Sequence, residues 1–351
     1  MRRVTGSILV GVGVLCVISA GVLAWVIVPM QKQVPTDMKP PDVVVVAPNA
    51  TFVATQISAT GVQVSVQHGT LASTTVVTPD PKTADSLTGD LAGKTLIWGT
   101  TQTTAWVETK AGISQNDSKI ALDQKSGAAV PWSGQCYHEA QLDPTKDTGC
   151  TPGNINFTGQ FYLFPFDTGK KTYQYWDGTL RSALPIAYKG EEKVSGLDTY
   201  RFEQVVPKTP LPVDAPTLAG ILAFLAPGAR GGTMTYEASR TLWVEPMTGA
   251  IVAYQERQHR ELAPDTGAPV VLLDATFQYD PATAKAVTDE AKDGRDQILL
   301  LGRYLPIGLL VVGLVGIVAG LLMLHRRTAP PTATPAPATV PTAVPEAEQR
   351  G

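Results

Sequence analysis

Two long uncharged apolar runs, one near each end of the chain, constrain the fold most. Residues 8–28 and residues 305–324 contain no charged side chain. At about 1.5 Å per helical residue, each run is long enough to cross a hydrocarbon core of roughly 30 Å. The first run follows Arg2 and Arg3 but is longer than the apolar part of a cleavable signal peptide. Both runs are therefore predicted to be transmembrane helices, the first as an uncleaved signal anchor.

These runs divide the chain into five segments. We expect a cytoplasmic N-terminus at 1–7, transmembrane helices at 8–28 and 305–324, an extracytoplasmic domain at 29–304 and a cytoplasmic tail at 325–351. Long loops largely escape the positive-inside rule, so the basic residues at the two chain ends decide the orientation. The sequence thus predicts a two-pass plasma-membrane protein with both termini in the cytoplasm.

The tail after the second run is rich in alanine, proline and threonine. Such a composition cannot bury a hydrophobic core, so the tail is predicted to be disordered. Two alternatives stay open for it: no function of its own, or docking of a cytoplasmic partner through its prolines.

The central segment has an acidic charge balance. Residues 29–304 carry 23 basic and 29 acidic residues, a net charge of about −6. Nucleic-acid binding depends on basic surface that neutralises phosphates. We therefore expect no nucleic-acid partner.

The central segment is predicted to be mostly β-strand with some helix, that is, an α+β domain. Val62, Val64 and Val66 alternate with polar residues, and similar periods recur at 96–107, 200–206 and 270–279. The turn at 246–249 separates two alternating stretches, which predicts a β-hairpin.

Two helical stretches interrupt the strands. Residues 281–301 follow Asp280, a favourable N-cap, and have proline at the first helical position, so they are predicted to lead into the second transmembrane helix. Residues 215–226 are apolar but too short to span a bilayer. This second stretch is either a core helix or a mobile apolar lid.

The cysteines of the central segment indicate an oxidising compartment. Cys136 and Cys150 lie 14 positions apart in a segment rich in turn residues, and a disulfide is the natural interpretation. A zinc site formed with His138 is the alternative, but it lacks a fourth ligand. We expect the disulfide and no metal.

Signals for catalysis or for a cofactor are missing from the sequence. The histidines form no metalloprotease motif, and the chain has neither a nucleophile elbow nor a phosphate-binding loop. We expect no enzyme activity, no catalytic residue and no cofactor.

Aromatic residues concentrate in one part of the central segment. They are Phe157, Phe161, Tyr162, Phe164, Phe166, Tyr173, Tyr175 and Trp176. This cluster either forms the main core or lines an apolar pocket or tunnel.

Two sequence stretches and the overall plan resemble the actinobacterial PorA family. The stretches are FPFDTGKKTYQYWD at 164–177 and TLWVEPMTG at 241–249. Members of that family share an outer domain framed by two membrane helices, and the family name implies a channel-forming porin. A fainter, purely architectural similarity is to class B scavenger receptors. It implies a β-rich outer domain with an internal lipid tunnel and a helical cap where ligands enter.

Together these observations predict a non-catalytic protein that binds or transfers an envelope lipid, in contact with membrane lipids. Phe161, Phe164 and Trp176 are the candidate lining residues. The candidate entrance residues on 215–226 are Leu218, Ile221, Leu222, Phe224 and Leu225. Two alternatives remain: an envelope scaffold or sensor that grips a protein or polysaccharide, and the channel-forming porin implied by the family name.

Overall fold

The computed structural model describes residues 2–58, 61–140 and 149–325. The chain divides into two compact units. One contains the described residues of Met1–Val22 and Pro306–Gly351, and the other is Leu23–Leu305. The predicted disordered tail lies outside the described residues from position 326 onwards.

The helices within the described ranges confirm the helical predictions. They are α1 (Arg2–Val22), α2 (Val28–Gln31), α3 (Pro81–Asp85), α4 (Ala215–Leu225), α5 (Pro281–Leu299) and α6 (Leu305–His325). By length and composition, the continuous helical stretches Val4–Gln31 and Pro281–His325 are both able to cross a membrane. Both predicted apolar runs are therefore helical.

Glycines bring α1 and α6 into close contact within the helical unit. A Cβ atom on Gly13 would lie 2.6 Å from the carbonyl oxygen of Gly313 and 2.7 Å from Cγ1 of Ile317. A Cβ on Gly320 would lie 2.7 Å from the carbonyl oxygen of Gly6. The two helices are thus antiparallel, and their backbones touch where side chains are missing. Small residues allow the same close approach between membrane helices in general.

Helix α5 begins as the sequence predicts. The backbone N–H of Thr283 donates to Oδ1 of Asp280 at 2.7 Å, which caps the helix, and proline occupies the first turn. A π-helical turn at Leu300–Tyr304 then joins α5 to α6 without a break. Helix α5 belongs to the second unit, where Ala291 packs in one core cluster with Val252 and Leu197.

The second unit is built from thirteen strands in its described part. They are β1 (Val43–Ser58), β2 (Gly61–Pro79), β3 (Thr95–Trp106), β4 (Ala111–Asp123), β5 (Ala128–Ala129), β6 (Cys136–Glu139), β7 (Gly159–Gln160), β8 (Tyr173–Asp177), β9 (Ser182–Val194), β10 (Leu197–Leu211), β11 (Gly232–Val244), β12 (Ile251–Pro264) and β13 (Val270–Tyr279). The predicted hairpin is β11–β12.

Twelve of these strands close into a barrel. The hydrogen-bonded order is β3-β2-β1-β13-β12-β11-β10-β9-β8-β7-β5-β4, and β4 returns to pair with β3. Strand β6 pairs with β4 beside this ring. The pairings are antiparallel except for β7 with β8.

The expectation of a scavenger-receptor-like α+β domain is therefore wrong, because the domain is a closed β-barrel. Alternation along a strand reports that one face is buried, but it does not report which strand lies alongside. Closure depends on β1 pairing with β13, strands at opposite ends of the domain. No local sequence signal specifies such a long-range pairing.

The buried positions of β11 alternate along the strand. They are Tyr236, Ala238, Arg240, Leu242 and Val244. Because side chains of a strand point alternately to its two faces, these residues share the inner face of the barrel. The intervening residues face outward.

Large aromatic side chains fill the core of this unit. Phe52, Trp98, Phe157, Phe164 and Phe202 are each at most 2% exposed. Small barrels are filled by side chains in this way, whereas pores of 16 or more strands, roughly, leave an aqueous channel. The tunnel expected from the sequence is absent at these positions.

Candidate functional site

One arginine and two carboxylates lie buried together in the core of the barrel. A guanidinium nitrogen of Arg240 lies 3.5 Å from Oδ2 of Asp177 and donates a shorter hydrogen bond to Glu256. Arg240 is 6%, Glu256 4% and Asp177 0% exposed. Burial of this many charges is expensive unless they are paired, so the arrangement requires complementary partners.

Strand register explains why the arginine meets one of its carboxylates. Arg240 on β11 lies directly opposite Glu256 on β12 and Gln204 on β10. Directly opposed residues on the same face of a sheet have Cβ atoms about 5 Å apart. Gln204 accepts a hydrogen bond from Arg240, so three neighbouring strands contribute to this polar cluster.

Hydrogen bonds from the surroundings satisfy Asp177. Its Oδ1 atom accepts the backbone N–H groups of Thr179 at 3.0 Å and Leu180 at 2.8 Å, in the turn that follows β8. Its Oδ2 atom accepts the hydroxyl of Tyr236 at 2.9 Å. The turn therefore fixes the carboxylate, and the tyrosine joins it to β11.

Tyrosines and a glutamine complete the cluster. The hydroxyl of Tyr254 donates to Oε2 of Glu256. The side-chain amide of Gln204 donates to the backbone carbonyls of Tyr175 at 3.1 Å and Leu184 at 3.0 Å. The guanidinium of Arg240 lies 5.2 Å from the centre of the Tyr175 ring, a cation–π distance.

The electrostatics keep the arginine charged and the tyrosines neutral. Burial is the largest single influence on the pKa of Arg240 and lowers it, but Glu256, the neighbouring tyrosines and Asp177 together outweigh burial and hold this pKa well above its usual value. Burial raises the pKa of Tyr175 to about 12, and burial next to Glu256 raises the pKa of Tyr254 well above its usual value. The arginine therefore stays charged and the tyrosines stay neutral at neutral pH, which suits a fixed structural link across the barrel.

Charged side chains also cover the outward face of the same strands. Arg257 lies 3.3 Å from Asp274, and Nδ1 of His259 lies 3.4 Å from the same carboxylate. Lys208 pairs with Glu261 at 2.9 Å. A barrel that faces lipid has an apolar outer band, and each lysine or arginine at the bilayer midplane destabilises it by about 2–4 kcal/mol. This outward face is suited to water.

The candidate lining residues lie in two separate parts of the core. Phe161 and Trp176 pack around Phe157, whereas Phe164 stacks on Phe202 with the ring centres 4.9 Å apart. Trp176 and Phe164 are buried, and Phe161 is half-buried. The structure does not bring the three onto one open surface.

The candidate entrance residues lie on α4, which is a helix as predicted. The backbone N–H of Thr217 donates to Asp214, which caps the helix. Leu222 is buried and Phe224 is 48% exposed. The other three candidates, Leu218, Ile221 and Leu225, are half-buried and share helical spacing with Leu222. Phe224 thus points away from the packed face of the helix.

The disulfide prediction is confirmed. Cys136 and Cys150 are bonded, with Cα atoms 5.4 Å apart. The zinc alternative fails because both sulfurs are used in this bond, and the described residues contain no cluster of three metal-ligating side chains.

Sequence reasoning missed the buried charge cluster. A signal was present: Arg240 falls on the buried phase of β11, between Ala238 and Leu242. A charged residue in the buried phase of a strand requires a buried partner. The identity of that partner depends on strand pairing, which the pattern of one strand does not contain.

The chain has a closed barrel with a filled core and two helices long enough to cross a membrane. It is therefore a β-barrel protein with terminal apolar helices. It belongs to the family described as Porin PorA, which matches residues 5–322. A relative named Porin PorA from Corynebacterium resistens is 25% identical over 288 residues, covering 63% of this chain and 68% of the relative. Another Porin PorA, from Corynebacterium amycolatum, is 26% identical over 243 residues, covering 58% and 62%.

These similarities confirm the predicted family and correct the predicted activity. The expectation of lipid binding and lipid transport is wrong, since the relatives carry the name of porins and the domain is a barrel. The physical reason is the filled core: aromatic residues taken as a tunnel lining pack against one another. The porin alternative agrees better with the family and with the barrel than lipid transfer does.

Proposed function

We propose that this chain is a non-enzymatic envelope scaffold, in which two membrane helices tether a barrel that works in water. The charged outward face of the barrel carries the proposal, together with the filled core. Charged side chains such as those of Arg257 and Asp274 are well solvated in water, whereas lysine and arginine side chains that face lipid destabilise a barrel. The proposed binding surface is therefore the outside of the barrel.

The proposed topology is that of a two-pass plasma-membrane protein with both termini in the cytoplasm. Basic residues next to the helix ends favour this orientation. The barrel then lies on the outer side, where the Cys136–Cys150 disulfide is stable. The proposal assigns docking of a cytoplasmic partner to the proline-rich tail, and deletion of residues 328–351 tests that part. Loss of the scaffold function in cells, with the barrel intact, supports docking by the tail. A scaffold function that is unchanged by the deletion refutes it.

Photo-crosslinking in living cells tests the scaffold itself. A photoreactive amino acid replaces Ser239, which faces outward on β11, or its buried neighbour Ala238 as the matched control. We expect a discrete crosslinked partner from position 239 and none from position 238. Crosslinks to lipid alone from position 239 would refute a barrel that works in water.

A channel is the second candidate function, and the family description and the names of the relatives favour it. Conduction through this barrel would require the packed core around Phe202 and Arg240 to open. Conductance of the purified full chain in a planar bilayer is the test, with Phe202→Ala as the variant that widens the core. Steps that grow in this variant assign the channel to the barrel. Conductance steps of unchanged size in the variant would assign the channel to another path. The absence of conductance from both proteins would exclude a channel formed by this chain alone.

A further inference from the structure

We propose that a groove on the outer face of the barrel, beside the disulfide, binds a neutral saccharide. The inference rests on the proposed function, because it gives the water-exposed scaffold a ligand class. The groove has a volume of about 650 Å³, within the range of roughly 300–1,000 Å³ that small-molecule sites occupy.

A missing side chain creates the groove. Thr78, Gly99, Lys119 and Cys136 lie side by side in register on β2, β3, β4 and β6. Gly99 has no side chain, so a gap opens between Thr78 and Lys119 on the outward face. A Cβ atom on Gly99 would have only the backbone oxygen of Thr78 within 4 Å, at 3.6 Å. The floor of the groove is therefore formed by backbone, with open space above it.

The charge of the groove is balanced. Nζ of Lys119 lies 2.7 Å from Oδ2 of Asp80, and both side chains are about one third exposed. The hydrogen bond from Lys119 holds the pKa of Asp80 down to about 2, so the carboxylate is charged at neutral pH. An anion would meet Asp80 and a cation would meet Lys119. A neutral ligand with both donors and acceptors matches the pair, and sugar hydroxyl groups supply both.

An aromatic ring and a hydroxyl complete the recognition surface. Trp132 borders the groove, and Nζ of Lys119 lies 5.9 Å from the centre of its ring. Aromatic rings offer an apolar surface to the C–H groups of a sugar. Thr78 is exposed on the opposite side and adds a hydroxyl. Aromatic, hydroxyl and paired charged groups around an open cleft are the chemistry that neutral saccharides require.

The disulfide gives the groove a fixed wall. Cys136 and Cys150 both line it, and Cys136 is paired in register with Lys119. Strand pairing holds β6 on β4, and Sγ of Cys150 lies 3.8 Å from the carbonyl oxygen of Asp117 on β4. The ligand site is thus held by covalent structure on one side and by the barrel floor on the other.

Filling the groove tests the proposal with little risk to the fold. Gly99→Val places two methyl groups in the gap, in a strand conformation that valine favours. Gly112→Val is the matched control, because Gly112 lies on β4 outside the groove with open space around its Cβ position. Circular dichroism and thermal unfolding establish that both variants keep the barrel.

The measurement is isothermal titration of the purified full chain, in a detergent without sugar, with cellohexaose, maltohexaose, mannohexaose and xylohexaose. We expect binding of at least one of them, weakened about tenfold or more by Gly99→Val and unchanged by Gly112→Val. No binding of any of the four, or equal binding by the Gly99→Val protein, would overturn the proposal. So would tight binding of inorganic phosphate by the same groove. If no saccharide binds but position 239 crosslinks a protein partner, the saccharide proposal is wrong and the scaffold proposal stands. If position 239 crosslinks only lipid, the scaffold proposal itself is wrong.

Discussion

Arg240 should be the residue on which barrel stability depends most among the charged side chains of β11 and β12. Replacing it by methionine preserves much of the side-chain volume but leaves Glu256 and Asp177 buried without their cation. Breaking a buried ion pair from one side costs about 3–5 kcal/mol, because the remaining charge is uncompensated. Arg240→Met is therefore expected to lower the free energy of unfolding by about 4 kcal/mol.

Arg257→Met provides the matched control for this prediction. Arg257 is the same residue type on the neighbouring strand β12, but it faces outward and is mostly exposed. Exposed ion pairs contribute about 0–1 kcal/mol, so its loss should shift the free energy of unfolding by less than that. The contrast isolates burial, since both substitutions remove one guanidinium from the same sheet.

A double-mutant cycle with Glu256→Gln separates pairing from packing. If Arg240 mainly compensates Glu256, the double variant should be about 1–3 kcal/mol more stable than the sum of the two single effects predicts. The assay is urea unfolding of the full chain in detergent micelles, followed by tryptophan fluorescence. An Arg240→Met protein no less stable than Arg257→Met would refute the reasoning.

Three further predictions concern other parts of the chain. Gly13→Leu should separate α1 from α6, because any Cβ there lies within 3 Å of Gly313, and SDS-induced unfolding in mixed micelles should occur at lower SDS. Loss of the Cys136–Cys150 bond by double serine substitution should cost about 3 kcal/mol in urea unfolding. Buried tyrosines such as Tyr175 have raised pKa values, so stability should hold at neutral pH. It should then fall above about pH 10, where unfolded tyrosine ionises, by about 1.4 kcal/mol per pH unit per tyrosine.

Each of these predictions has its own control or contradicting result. Gly11→Leu lies on the same helix with no atom within 4 Å of its Cβ position, so it should leave SDS unfolding unchanged. Serine variants as stable as the wild-type protein would show that the disulfide does not constrain the unfolded chain. Stability that stays constant up to pH 12 would mean that the tyrosines ionise without unfolding.

Features carried by local pattern were predictable from the sequence. The apolar runs, the Asp280 cap of α5, the hairpin β11–β12 and the disulfide each depend on residues close in sequence or on composition. These elements were confirmed because their stabilising interactions are local or, for the helices, a matter of length.

Features that depend on long-range pairing were not predictable. Barrel closure requires β1 to meet β13, and the buried cluster requires Arg240 to meet Asp177 on β8, 63 positions away. An aromatic cluster looks the same in sequence whether the rings pack on one another or line a cavity. The stacking of Phe164 on Phe202 shows that these rings pack on one another. This contact is long-range, because β9 lies between the two residues in sequence.

The most direct test of a barrel that works in water is cysteine labelling in intact cells. Cysteine is placed at Thr235, Glu237, Ser239 and Thr241 along the outward face of β11, one at a time, with Cys16 replaced by alanine. Leu314→Cys on α6 serves as the membrane-embedded control. We predict that a membrane-impermeant maleimide labels all four strand positions and leaves position 314 unlabelled. Protection of consecutive outward positions, as in a lipid-facing band, would contradict the account.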